Sequence, residues 1–217
     1  MIEITKYATE DNLINTLLII IFICGFVIYY RWLLIKIEEQ KIAHNLLSAT
    51  HAIGVILLYL WKRQAEPLIF WSIPYFTLDS YLSGKYSKTT LQKAGLVFHH
   101  IIVIFILLNT FNMESRIKSM TLLFFFMIEI SNLPYYLMGH LMNIKYDNKQ
   151  VLQTVLLIQI ITGIIIRLII VPLVPLLEMD YLNKNNIQYI IGNYLIYLLS
   201  IYWTTNLWKQ FIVKYNS

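Results

Sequence analysis

Apolar runs long enough to cross a bilayer recur along this chain, and few sequence features restrict a fold so strongly. A spanning helix needs roughly 17–25 predominantly apolar residues, because lipid offers no partner to an unpaired backbone amide. The first run extends from about Leu13 to Ile35, and Tyr29, Tyr30, Arg31 and Trp32 suit a membrane interface. Others lie at about His44–Trp61, Leu68–Leu82, Leu91–Asn109, Met120–Met138, Val151–Leu177 and Ile187–Phe211. The expectation is an all-α, multi-pass transmembrane helical bundle of about seven spans. Composition agrees: at 58% hydrophobic and 13% charged, 217 residues carry too little polar surface for a soluble domain.

Short polar links separate the runs: Glu38–Lys41, Lys62–Pro67, Ser83–Lys88, Asn112–Arg116, Asn143–Lys149 and Asp180–Asn186. Pro67 suits a first helical turn, Pro74 predicts a kink or tilt in the short third span, and Pro172 and Pro175 fall towards the end of the sixth. The N-terminus lacks the basic region and small-residue cleavage site of a signal peptide, so the first run is read as a retained span. The single Cys24 excludes an internal disulfide.

A net charge of +5 would suggest nucleic acid in a soluble protein, but here Lys and Arg fall in short loops and no nucleic-acid motif accompanies them. They read as topology signals. Arg31, Lys36, Lys41, Lys85, Lys88, Lys93, Lys145, Lys149, Lys209 and Lys214 share one side, ten residues against six (Lys6, Lys62, Arg63, Arg116, Lys118 and Lys184) on the other. That bias predicts a cytosolic C-terminus and an N-terminus outside or in a lumen.

Ionisable residues inside the apolar runs are the functional signal, since a charge at that depth is expensive and marks a site by default. They are His51, Asp79, the adjacent His99 and His100, Glu129 and Arg167. With the predicted topology, His51, Asp79, His99/His100 and Glu129 fall towards the cytosolic side of four helices, and Arg167 lies deeper. Adjacent helical residues point about 100° apart, so His99 and His100 cannot chelate one metal, and no metal-binding spacing occurs. One imidazole is expected to face a bundle cavity and the other a neighbouring helix. A neutral imidazole can serve as general base or nucleophile, with Asp79 or Glu129 orienting it or holding its proton. The competing reading is interhelical glue, at about 1 kcal/mol per hydrogen bond. Arg167 is expected as a counter-ion or snorkelling group, His44 and His140 as interfacial, Trp203 and Trp208 as aromatic belts, and Leu122–Ile128 as lipid-facing or core residues.

The ordered series Asn45-Leu-Leu-Ser48-Ala-Thr-His51, Asp79, Phe98-His99-His100, Glu129-Ile-Ser131-Asn132 and Asn193 to Trp203 resembles the TLC (TRAM, LAG1 and CLN8 homology) domain. The likeness covers about residues 38–214, leaving residues 1–37 as an N-terminal segment with the first span. It implies a multi-pass protein of the endoplasmic reticulum or a host endomembrane, acting in membrane-lipid metabolism or homeostasis. Ceramide synthases of that family transfer an acyl group from acyl-CoA to a sphingoid amine. By that likeness His99, His100, Asp79 and Glu129 are the catalytic candidates, with a His as base or transient acyl acceptor. His51, Ser131 and Asn132 would bind substrate in a cytosol-facing lipid cavity. The partners implied are membrane lipids and, as co-substrate, acyl-CoA; no metal or other cofactor is expected. Where the synthases carry two nearby aspartates this chain has Glu129-Ile130-Ser131-Asn132, which makes it more similar to the small TLC domain-containing proteins. A non-catalytic lipid-binding or scaffold protein assisting membrane-protein trafficking or insertion is the alternative from another class. A transporter is disfavoured by the lack of an internal repeat.

Overall fold

The computed structural model describes residues 2–62, 64–86, 90–111, 113–173 and 187–215, and among these every regular element is helical. The helices are α1 (Ile2–Ile37), α2 (Gln40–Lys62), α3 (Ala65–Tyr86), α4 (Thr90–Thr110), α5 (Ser115–Asn143), α6 (Lys149–Thr162) and α7 (Ile187–Tyr215). From Gly163 to Ile170 α6 continues with π-helical winding. Pro175, the link Asp180–Asn186 and Lys88 lie outside the described residues.

Among the described residues, five segments are long and apolar enough to cross a membrane: Ile14–Ile37, Gln40–Trp61, Lys93–Thr110, Ser115–Asn143 and Lys149–Leu173. Their outward faces remain apolar, with Ile21, Ile28, Leu57, Ile101, Leu137 and Leu157 all exposed. A protein surrounded by water would not present so continuous an apolar perimeter. The chain is a multi-pass membrane protein. Of the seven expected spans, α3 and α7 are not among the five segments; α3 carries Ser72, Asp79 and Ser83, which are buried inside the bundle.

The helix order explains how distant parts of the sequence meet. α2 packs on α3, α3 on α4, α4 on α7, α7 on α6, α6 on α5 and α5 back on α2, closing a six-helix ring; α1 lies outside against α2 and α3. Across the ring, α5 also touches α3 and α4. Aromatic and aliphatic side chains fasten α1, where Phe26 meets Trp71 at a ring-centroid distance of 4.8 Å and Tyr29 shares a 3.0 Å hydrogen bond with Thr50. Glu38 ends α1 in the left-handed region (φ 60°), its N–H reaching Leu34 O at 2.9 Å, so only a tight corner separates α1 from α2. Pro74 and Pro134 are both accommodated within continuous helices. The Phe-rich run divides as a helix face must: Leu122, Phe124 and Phe125 are buried, Leu123 is exposed, and Phe126 stacks on Tyr59.

Candidate functional site

The ring gathers the ionisable residues of its separate helices into its interior. Asp79 on α3 sits at the centre of one cluster. His44 Nε2, from the first turns of α2, bonds to Asp79 Oδ1; His100 Nε2, from α4, lies 3.0 Å from Oδ2; and Tyr75 Oη donates to Oδ2 at 3.1 Å. Tyr75 stands four residues before Asp79, the spacing that puts both side chains on one helix face. A carboxylate only accepts, so each Nε2 supplies the hydrogen. His100 in this tautomer keeps its lone pair on Nδ1, which is buried without a hydrogen-bond partner among the described residues. An imidazole oriented through one nitrogen by a carboxylate, with the other nitrogen bare, is the arrangement of a general base.

Glu129 on α5 anchors a second cluster. Asn132 Nδ2 donates to Glu129 Oε2 at 2.9 Å, and Oε1 faces His51 Nδ1 at 3.7 Å, beyond hydrogen-bond range. The opposite ring nitrogen, His51 Nε2, lies 3.1 Å from Ser72 Oγ. Arg167 occupies the π-helical stretch, where the wider winding re-aims one side chain relative to an α-helix. Its Nε donates to Ser131 Oγ at 2.8 Å and its Nη2 to Asn132 Oδ1. The guanidinium thereby fixes which way the Asn132 amide points and reaches Glu129 only through it.

Rings join the two clusters. His51 stacks on Tyr75 (centroids 3.8 Å apart, planes 10° apart), Phe76 lies between His51 and His100 at 5.1 and 5.6 Å, and His99 meets Trp203 of α7 edge-on at 5.0 Å. All six ring helices, with the π-helical end of α6, contribute a side chain. Counted along its own helix from the end where α2 begins, at about 1.5 Å per residue, His44 lies ~6 Å in, Asp79 ~10 Å, His100 ~15 Å, Glu129 ~21 Å and Arg167 ~27 Å. The polar groups form a file from one end of the bundle past its middle.

Each predicted residue can now be placed. His99 and His100 diverge as adjacent helical residues must, His100 to Asp79 on α3 and His99 to Trp203 on α7. Asp79 pairs with His100, whereas Glu129 faces His51; both carboxylates are buried. His51 is wholly buried, and Ser131 and Asn132 serve Arg167 and Glu129. Around these groups the rings of Tyr75, Phe76 and Trp203 are in contact with the three imidazoles of His51, His100 and His99. His44 is no interfacial spectator: it closes the Asp79 cluster. Trp203 turns inwards instead of joining a belt, because α7 packs on α4 and brings its indole against His99. Arg167 bonds across to α5 through Nε and Nη2 in place of snorkelling. Tyr75 and Ser72 were not foreseen, although the four-residue offset to Asp79 would have exposed the first. Among the described residues no group of three His, Cys, Asp or Glu is placed to hold a metal ion.

Comparison with protein-family models, curated proteins and solved structures finds no match for this chain.

Proposed function

We propose that the chain acts in membrane-lipid metabolism, transferring a fatty acyl group from acyl-CoA to a lipid amine in an endomembrane such as the endoplasmic reticulum. Its C-terminus would face the cytosol, following the Lys and Arg bias. The observation that carries this reading is the Asp79–His100 pair with its bare Nδ1, set about 15 Å along α4, within an apolar helical ring. In the reaction, the amine attacks the thioester carbonyl, a C–N bond forms and the C–S bond breaks. His100 Nδ1 takes the proton that the amine loses and returns it to the departing thiolate, while Asp79 holds the imidazole in register. The amine must reach Nδ1 by displacing ring contacts about His99 and Trp203. The series of residues shared with TLC domains supports the lipid class. The test is acyl transfer by protein in nanodiscs, followed as thiol release from long-chain acyl-CoA with a long-chain amine acceptor. Acceptor-dependent release that disappears in His100→Ala supports the reading; equal release from both proteins overturns it.

A second reading is favoured by one observation: most hydrogen bonds in the file join two helices, α2 to α3, α3 to α4 and α6 to α5. In that reading the residues hold a non-catalytic scaffold together, each bond contributing about 0.6–1.7 kcal/mol. Loss of folding without any change in lipid turnover would favour it.

A further inference from the structure

His44 fits neither an interfacial histidine nor a base, and its geometry assigns it a different task. Its Nε2 takes Asp79 Oδ1, and Oδ2 is left to be shared by His100 Nε2 at 3.0 Å and Tyr75 Oη at 3.1 Å. The carboxylate torsion is a soft, roughly two-fold rotation. A donor on each oxygen pins it, and the two donors that matter come from α2 and α4, on either side of α3. The His44 side chain is 23% exposed, against 9% for Asp79 and 6% for His100, so it also closes the cluster towards the bundle end. Its backbone carbonyl accepts from Ser48 Oγ at 3.1 Å, a contact the ring does not need.

We infer that His44 is a positioning residue: by donating to Asp79 Oδ1 it fixes the carboxylate so that His100 is held as the Nε2–H tautomer with Nδ1 bare. Removing the His44 donor frees Oδ1, lets the carboxylate rotate, and lets His100 populate the other tautomer, whose Nδ1 carries hydrogen and cannot act as base. The catalytic consequence rests on the acyl-transfer reading; the tautomer does not. Loss of an outer partner that orients an imidazole typically costs about 10–100-fold in function.

The experiment uses full-length protein in nanodiscs with ¹⁵N-labelled histidine, the His100 signals being assigned by their loss in His100→Gln. In the wild type, His100 should show hydrogen on Nε2 and none on Nδ1. His44→Leu should give mixed tautomers and an acyl-transfer kcat lowered roughly 10–100-fold with KM within about twofold. His44→Gln, which keeps an N–H at a similar reach, should restore both. A wild-type His100 protonated on Nδ1 overturns the inference, as does a His44→Leu protein with the wild-type tautomer. If the wild type transfers no acyl group, the functional reading fails while the tautomers still decide this one. If His44→Leu does not fold, the wild-type tautomer and the His44→Gln spectrum decide it.

Discussion

Asp79 and Glu129 are two carboxylates buried in one helical ring and held in opposite ways. Asp79 accepts from three side chains, one each from α2, α3 and α4, and both of its oxygens are engaged. Glu129 accepts one hydrogen bond, from Asn132 on its own helix, and stands 3.7 Å from the nearest imidazole nitrogen. The guanidinium nearby directs its Nε and Nη2 to Ser131 and Asn132. Three donors around a carboxylate suit a group that must stay fixed and orient something else. A single local donor suits a group embedded in a structural relay. Buried carboxylates of one ring are therefore not equivalent, and the proposed chemistry is assigned to Asp79, whose bonded imidazole has an Nδ1 unpartnered among the described residues.

Substitutions can break or sharpen that contrast. The largest effect is expected from Asp79→Asn, which keeps the volume but puts an amide donor opposite imidazole N–H groups. Turnover should fall at least about 100-fold in folded protein, as when general-base catalysis is disabled. Wild-type rates in the reconstituted assay would make the two carboxylates alike after all. Arg167→Leu should lower stability by about 1–3 kcal/mol, two interhelical bonds at the usual intramembrane value, as read by denaturant unfolding in detergent. Its turnover per folded molecule should stay within a few fold; a loss as deep as that of Asp79→Asn would move the chemistry to the second cluster. Tyr75→Phe removes one of three donors while keeping the stack on His51, and should cost about 1 kcal/mol and less than tenfold in kcat. The smallest effect belongs to Glu129→Gln, whose Oε1 still accepts from Asn132: stability and turnover should both lie within experimental scatter, under about 1 kcal/mol. A collapse of folding there would show that the charge on Glu129 matters beyond its hydrogen bond.

Much of this architecture is legible in the sequence because the bilayer imposes it. The apolar runs mark the helices to within a turn or two at their ends, except that α1 begins at Ile2, about three turns before its apolar run, and the ionisable residues within them stand out by their cost. What the sequence does not carry is which helices are neighbours. That α2 lies between α3 and α5 decides that His44 meets Asp79 while His51 meets Glu129, and no spacing along the chain encodes it. His44 stands one turn into α2, where an interfacial imidazole is the ordinary expectation, so only the ring reveals its partner. Trp203 looks like any belt residue until α7 is seen against α4. The π-helical winding that aims Arg167 leaves no mark beyond Gly163 at its start, and Gly163 sits against Thr204, where close approach of α7 is reason enough for a glycine.

The central claim, that the His99–His100 helix carries lipid chemistry, is tested most directly by the lipids themselves. Untargeted lipid profiles would be compared for membranes containing the wild type and the His99→Ala/His100→Ala protein, matched for folded protein. The account predicts that one class of acylated amine lipid changes with the wild type alone. Identical profiles from the two proteins would contradict it and leave the polar file as the fastening of a scaffold.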